Sequence, residues 1–375
     1  LTGFAWGCAL GLPVREACRA ESRPGRMRKR LARSLQQQGA WPLRDYFTAK
    51  GASEDLPLGW QSQQREYVHF LEACAEPHLL LTPLEVFERQ GLDFVWGDSG
   101  RFWLEQFPLG RLPDAEARAV QNLLARSAGG AGGEATPLFC AHYWNPFREG
   151  PGGLLRGAGW GLLCAGRPAL AAALAHRDCA WTHARGGLYG ALFMAAFTAT
   201  LAADSDLGRA IEAALGQIPR RCRLADAVRQ WGDWSGYYGD AAACLETCER
   251  TYPKAGAEHA QSNLLAVLTA LHYGGLDPAG SPGLAVTAGL DTALCGGLAG
   301  LAAGLAGGQT RFADTPALAL GDTWRCSFPG QGTHRLIGLA GRMQDAWREI
   351  EDITLRRLPE REPEPLEPVW LPSDE

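Results

Sequence analysis

Three side chains of this sequence combine a reactive type with a setting that suits chemistry: Asp291, His183 and Glu66. Asp291 stands directly before a long apolar, glycine-rich segment, where its carboxylate can cap a helix, take part in a reaction, or do both. His183 lies in the stretch WTHARGG between two predicted helices. Its ring titrates near neutral pH and suits general acid–base catalysis, while a hydrogen-bonded structural role is the alternative. We predict these three as the candidate catalytic residues.

The segment 145–153, NPFREGPGG, carries groups that suit the binding of an anion. An arginine can hold a phosphate or a carboxylate through two parallel hydrogen bonds, and glycines leave backbone amides free to approach a ligand. A salt bridge that only fixes the loop is the alternative. The predicted substrate-binding residues of this segment are Asn145, Arg148, Glu149, Gly152 and Gly153.

Tryptophan is abundant, with thirteen residues in the chain. Aromatic faces stack on bases or hold cations, although core packing is the alternative for each of them. We predict that Trp60 and Trp160 line a ligand cleft, and that Tyr189 and Thr292 contribute to it.

The elements that must position these residues are helices. Apolar residues recur at helical spacing in 207–218, and the Ala and Leu content of other stretches favours helices. No segment shows the sustained alternation with β-branched residues that is typical of a strand. The sequence therefore predicts an all-α fold, with helices at 167–180, 185–203, 207–218, 222–234, 240–252, 260–273 and 335–352.

Residues 284–306 are long and apolar enough to cross a bilayer. Asp291 falls inside this stretch, however, and no aromatic or basic anchors flank it. Glycines at every fourth position from Gly296 to Gly304 make a smooth face for close helix contact. We predict a buried central helix.

The basic run 23–33 is predicted to be a solvated loop.

Composition narrows the class of protein. The net charge is −5 over 375 residues, so no global field attracts nucleic acid. Eleven cysteines without a CxxC pair indicate free thiols and a reducing cytoplasm. Residues 1–355 are predicted to form a single domain, followed by a flexible tail rich in Pro and Glu at 356–375. A small-molecule ligand is expected, with no nucleic acid and no membrane, and the oligomeric state is left open.

Three segments together resemble the ADP-ribosylglycohydrolase family. They are GCALGLPV at 7–14, the pair NPFREGPGGLLRGAGWGLLCAGRP and HRDCAWTHARGGLYGALFMAAF at 145–168 and 176–197, and LAVTAGLDTALCGGLAGLAAG at 284–304. The resemblance implies an orthogonal helical bundle with two magnesium ions in a cleft, and hydrolysis of a glycosidic bond at C1 of ribose. Magnesium prefers oxygen ligands, so a pair of ions needs several carboxylates.

Most carboxylates that the resemblance implies are missing. The second acidic motif is expected near residues 59–73, where Gln61 to Gln64 supply no charge and only Glu66 is acidic. Ala293 replaces the second Asp of the third motif, and Arg15 replaces the Glu of the first, with Glu16 adjacent. We therefore predict no metal site and no cofactor.

Three functions stay open at this point. The chain could be an enzyme that acts on a nucleoside, another glycoside or another small molecule without the magnesium pair, with Glu66, Asp291 or His183 as acid or base. It could be a biosynthetic enzyme with unrelated chemistry. It could also be a non-catalytic protein that binds a ribosyl ligand or a protein partner.

Overall fold

The fold is helical, as predicted. The structure, a computed structural model, describes residues 1–53, 55–107, 110, 112–127, 135–253 and 256–357. Helices make up 68% of it, which confirms the all-α class. The helices of the described part are α1 Thr2–Ala20, α2 Pro24–Gln37, α3 Ala75–Gln90, α4 Trp96–Gln106, α5 Asp114–Ser127, α6 Pro137–His142, α7 Gly152–Leu163, α8 Pro168–Cys179, α9 Arg185–Ala203, α10 Leu207–Leu215, α11 Arg223–Tyr237, α12 Ala241–Thr251, α13 Ala260–Gly274, α14 Gly280–Thr287, α15 Thr292–Gly307 and α16 Leu336–Arg357.

The strand content of the described residues is one short antiparallel pair. Strand β1, Thr323–Arg325, pairs with β2, Thr333–Arg335. Leu71 adds an isolated parallel bridge to Trp324.

Helix α1 and helix α15 pack with their backbones in direct contact. A Cβ atom added at Gly7 would lie 1.8 Å from the carbonyl oxygen of Gly296. One added at Gly3 would lie 2.0 Å from the oxygen of Gly300. The partner numbers fall as the α1 numbers rise, so the two helices run antiparallel. This contact brings the carboxyl end of α1 to the amino end of α15.

A second glycine-lined contact joins α7 to α9, which run parallel. A Cβ atom at Gly157 would lie 2.1 Å from the oxygen of Ala191, and one at Gly161 would lie 2.6 Å from that of Ala195. Such small residues let helices approach more closely than larger side chains allow. The close packing fixes the start of α7, where Gly152 lies.

The basic run 23–33 is not a solvated loop. It belongs to α2, which begins at Pro24, in the first turn where proline is tolerated. Apolar residues at helical spacing, Met27, Leu31 and Leu35, are buried on one face of this helix. Arg26 and Arg33 are exposed, whereas Arg28 is buried and pairs with Glu249, so the charge of the run hides a helical pattern.

The apolar stretch 284–306 is divided by a turn at Gly289, where φ is 76°. It forms α14 and the buried α15, so the prediction of a buried helix holds for its second part. By length and composition, one described helix could cross a membrane: α9, with 67% of its apolar window buried inside the protein.

Buried apolar residues from Phe4 to Ile350 form one large core cluster. The limits of the predicted domain, 1–355, stay a prediction. Of the predicted tail, residues 358–375 lie outside the described residues.

Candidate functional site

A cavity of about 520 Å³ opens where α1, α3, α5, α7 and the amino end of α15 meet. A volume of this size suits a small organic molecule. Its wall carries both signs of charge. The charged residues that line it are Arg15, Arg19, Glu76, Asp114, Glu116, Glu258 and Asp291.

Two arginines of α1 neutralise two of these carboxylates. Arg15 and Arg19 are one helical turn apart, so both project from the same face of α1. The Nη1 atom of Arg15 donates to Glu76, 2.9 Å from Oε1 and 3.1 Å from Oε2. The Nη2 atom of Arg19 donates to Oδ2 of Asp291 over 3.0 Å. The antiparallel contact of α1 with α15 determines that Arg19 meets Asp291.

Asp291 caps a helix, as its sequence position allowed, and it also lines the cavity. Its Oδ1 accepts a hydrogen bond of 3.3 Å from the backbone N–H of Leu294, which caps α15. Its Oδ2 accepts from Arg19. Its own backbone N–H donates to the side chain of Asn263. The carboxylate is therefore held by the helix cap on one oxygen and by Arg19 on the other, at the cavity wall.

Glu116, in the first turn of α5, is the most unusual group of the cavity wall. Its side chain is fully buried, and neither carboxylate oxygen has a hydrogen-bond partner among the described residues. Burial raises the pKa of Glu116 to about 7, against an ordinary value of 4.5. A Cβ atom at Gly152 would lie 2.3 Å from its Oε1, so a glycine is needed to make room for the carboxyl group.

His183 lies behind Glu116 and does not line the cavity. Its Nε2 atom is 3.5 Å from Oε1 of Glu116, and both side chains are fully buried. Burial, together with nearby Arg156, lowers the pKa of His183 to about 3. The ring is therefore neutral near pH 7. It can accept or donate one proton toward Glu116, but it has no direct contact with a ligand in the cavity.

The tautomer of His183 depends on Thr182. The hydroxyl Oγ1 of Thr182 lies 2.8 Å from Nδ1 of His183 and 3.0 Å from the carbonyl oxygen of Cys179, and it has one proton to donate. If that proton goes to Cys179, Nδ1 is protonated and Nε2 can accept from a protonated Glu116. If it goes to His183, Nε2–H points to the Glu116 carboxylate. The separation of 3.5 Å is too long for a hydrogen bond, so either arrangement would share a proton between Glu116 and His183 only after the two side chains move closer.

A buried ion pair between Arg156 and Asp178 holds Thr182, which is next to the ring of His183. Arg156 donates to Asp178 through Nε, at 3.1 Å, and through Nη2, at 2.6 Å, and its Nη1 donates to Thr182 over 2.6 Å. Asp178 also accepts from the indole N–H of Trp160 and from the hydroxyl of Ser99. The network fixes Thr182 and, through it, the ring of His183.

Several predicted site residues lie away from the cavity. Glu66 is exposed, and its Oε2 accepts from the backbone N–H of Ala49 over 2.9 Å. Glu66 therefore does not line the cavity that Asp291 lines. Gln63 is fully buried, and its side chain donates to two backbone carbonyls, so the glutamine stretch holds a turn.

The NPFRE loop lines the cavity with Phe147, whereas the polar residues predicted to bind a ligand make contacts that fix the loop. The amide of Asn145 donates to the carbonyl oxygen of Ala115 over 3.1 Å, which ties the loop to α5 next to Glu116. Arg148 donates to the carbonyl of Asn145, and Glu149 is paired with Arg223 at 3.0 Å. These contacts agree with the alternative to ligand binding, in which these side chains fix the loop.

The remaining predicted residues divide between wall and core. Gly152 and Trp60 line the cavity, and the Trp60 ring lies 5.0 Å from the Arg15 guanidinium. Trp160 is in the core, stacked on Phe94, and does not reach the cavity. The other three predicted binding residues, Gly153, Tyr189 and Thr292, are not on the cavity wall, and the hydroxyl of Thr292 donates to the carbonyl of Gly11.

Sequence reasoning missed Glu116 and Glu76. Glu116 stands in DAEARAV, which reads as an ordinary helix start with acidic residues, and no sequence signal separates it from a solvated acid. Glu76 carried a usable signal. The long helix after the expected second motif begins at Ala75, so the stretch at the cavity is Cys74–Glu76 and not 61–64.

Comparison with known proteins agrees with this architecture. A family model described as ADP-ribosylglycohydrolase matches residues 1–348. Among solved structures, the chain is similar to one described as an ADP-ribosylglycohydrolase-related protein complex, with a TM-score of 0.51 and 19% sequence identity over 92% of this chain and 96% of that chain. At that identity the likeness concerns the fold alone. No curated protein gives a match.

Proposed function

The chain belongs to the ADP-ribosylglycohydrolase family, and on that premise we propose that it hydrolyses the glycosidic bond of a small riboside or related glycoside, with Glu116 as general acid and without a magnesium pair. The single observation that carries the proposal is the buried carboxyl group of Glu116 on the cavity wall, which has no hydrogen-bond partner among the described residues. A buried polar group without a partner is costly, and a substrate oxygen in the cavity would supply the missing partner.

The pKa of Glu116 supports an acid role. At about 7, the carboxyl group is largely protonated below neutral pH. A general acid works best when its pKa lies near the working pH. Glu116 could therefore protonate the leaving-group oxygen or nitrogen as the glycosidic bond breaks, and neutral His183 behind it would hold the acid proton in place.

Glycoside hydrolysis needs a second carboxylate on the other side of the bond. We assign that role to Asp291, which lines the cavity, binds Arg19 through Oδ2 and caps α15 through Oδ1. It would orient and deprotonate the attacking water, or stabilise the positive charge that develops on the sugar ring. Arg19 is exposed and can release Asp291 without disturbing the core.

The charge arrangement argues against the magnesium pair of the family. Glu76 and Asp291 each bind an arginine that lines the same cavity. Two magnesium ions need several carboxylate ligands, and both of these carboxylates already share an oxygen with a guanidinium. Arg15 and Arg19 thus supply two positive charges from the protein itself.

The cavity wall indicates the ligand class. Trp60 offers an aromatic face for a base or a sugar ring, and the mixed charges suit a polar ligand. All eleven cysteines lie in the described part of the chain and are free thiols, which supports the proposal of a cytoplasmic protein.

The test is release of free sugar from a panel of nucleosides and other ribosides, with and without added magnesium. We expect turnover that magnesium does not change, and a Glu116→Gln variant that is ~10²–10⁴-fold slower. Glu105→Gln, which changes an exposed acid outside the cavity, serves as the control. Derivatives such as ADP-ribosyl-arginine and ADP-ribosyl-serine are expected to be poor substrates. Turnover that requires magnesium, or a Glu116→Gln variant with full activity, would refute the proposal.

The neutralisation of Glu76 and Asp291 by arginines favours a second candidate, which is ligand binding without turnover. In that case calorimetry would detect binding of ADP-ribose or a nucleoside, and no member of the panel would be cleaved. Binding that persists in Glu116→Gln, together with no cleavage by the wild type, would decide for this candidate.

A further inference from the structure

Two thiols and a carboxylate converge at the edge of the cavity. The Sγ atoms of Cys8, on α1, and Cys74, the residue before α3, are 3.9 Å apart. Together with a carboxylate oxygen of Glu76 they form a group whose ligand atoms all lie within 4.8 Å of one another, with all three residues buried. In the described part of the chain, no other three His, Cys, Asp or Glu side chains come together in this way.

We propose that Cys8, Cys74 and Glu76 form a binding site for a single zinc ion. Zinc favours sulfur ligands at about 2.3 Å in tetrahedral geometry, which places two sulfur ligands about 3.8 Å apart. The observed separation of 3.9 Å therefore needs almost no movement of either residue. Magnesium, which prefers oxygen, would not use these thiols.

The charges of the site balance around a zinc ion. Two thiolates and the Glu76 carboxylate carry three negative charges, and zinc and Arg15 carry three positive charges. Without the ion, neutral thiols and the Arg15–Glu76 pair also sum to zero. Binding exchanges two thiol protons, released to water, for one dication, so the net charge of the buried site is unchanged. Arg15 is then the residue that orients the carboxylate ligand and compensates the excess negative charge.

The site has an open side. Cys74 and Glu76 line the cavity, whereas Cys8 closes the site from the interior. Three protein ligands with a fourth position open to a cavity is the arrangement of zinc sites that bind water or substrate. This inference goes beyond the proposed hydrolysis, because Glu116 and Asp291 are not among the zinc ligands. Zinc binding is measured without substrate, so the two proposals fail separately.

The experiment uses the full chain, reduced and treated with a chelator, then titrated with zinc against a competing chelator. We expect one zinc ion per chain. Cys74→Ser and Cys8→Ser should lose this stoichiometric binding, and Arg15→Gln should weaken it ~10–100-fold. Cys164→Ser is the matched control, because Cys164 is also buried, at the end of α7, and lies away from the cavity.

Cobalt binding to the wild type gives a readout that does not depend on how the variants fold. Two thiolate ligands should produce an intense sulfur-to-cobalt charge-transfer absorption, and zinc should displace it. The proposal is overturned if the wild type binds no zinc, if both serine variants bind it as the wild type does, or if cobalt binds without the thiolate band. It is equally overturned if the protein, before reduction, proves to hold a disulfide between Cys8 and Cys74.

Discussion

Buried acids in this protein fall into two kinds, and the number of partners separates them. Asp178 is fully buried and accepts hydrogen bonds from Arg156, Trp160 and Ser99. Glu116 is as deeply buried and has no hydrogen-bond partner among the described residues. A satisfied buried acid stabilises the fold. An unsatisfied one costs stability, so its position beside a cavity points to a role in ligand chemistry.

Because burial makes ionisation of the Glu116 carboxyl group unfavourable, we predict that the free energy of unfolding depends on pH. Its pKa of about 7 in the folded protein lies above the ordinary 4.5, so the unfolded chain loses its proton first as pH rises. The free energy of unfolding therefore falls between about pH 4.5 and 7 and then stays lowered, by about 3 kcal/mol for this group. Glutamine does not titrate, so Glu116→Gln should become more stable relative to wild type by up to that amount between pH 4 and pH 8.5.

Urea unfolding of both proteins at the two pH values measures this change. The comparison uses the difference between pH values, so any constant effect of the glutamine cancels. Glu105→Gln should show no such change, because Glu105 is exposed. A stability difference between Glu116→Gln and wild type that is the same at both pH values would show that folding does not raise the pKa of Glu116.

The pairing of α1 with α15 positions charged residues of the cavity. Gly3, Gly7 and Gly11 recur every fourth residue on α1, and Arg15 and Arg19 continue the same row. The glycines press against the backbone of α15, and the row ends where Asp291 caps that helix. The contact that allows close packing also sets which charges meet in the cavity.

Because the backbones of α1 and α15 are in contact, we expect one added methyl group to lower the stability of the protein strongly. The Cβ of Gly7→Ala would lie 1.8 Å from a backbone oxygen of α15, which cannot move aside as a side chain can. We expect the free energy of unfolding to fall by at least about 2 kcal/mol. Chemical denaturation measures it.

The control for Gly7→Ala is Gly232→Ala, at an exposed position inside α11 where an added Cβ meets nothing within 4 Å. There the alanine should raise the free energy of unfolding by about 0.5–1 kcal/mol, because glycine is the poorer helix former. A neutral Gly7→Ala would mean that α1 and α15 are further apart than the structure has them.

The cavity is built from segments that are far apart in the chain. Its wall runs from Arg15 on α1 to Leu294 on α15. Each segment supplies a few residues to this wall. The large core cluster holds all of these segments in place. A site of this kind exists only when the whole core is formed.

One core implies one unfolding transition. We expect differential scanning calorimetry to show a single transition for the chain, with equal calorimetric and van't Hoff enthalpies. Zinc or a bound riboside should shift that transition to higher temperature without splitting it. Two separable transitions would contradict the prediction of a single domain over 1–355.

The sequence by itself determined the helical class and the helices at 167–274. Their apolar residues follow a period of 3.6, and this pattern depends only on near neighbours in the chain. It also indicated the helix start at Asp291, because an Asp directly before an apolar helical segment suits the N-cap position.

Only the tertiary structure decided which acids share the cavity. Glu66 and Glu116 are alike as sequence: each is an acidic residue in a polar stretch. Folding leaves the first in water and buries the second against Gly152 and His183. The reactivity of a carboxyl group depends on its desolvation and its partners. For Glu116 these come from α7 and the turn before α9, which lie tens of residues away along the chain.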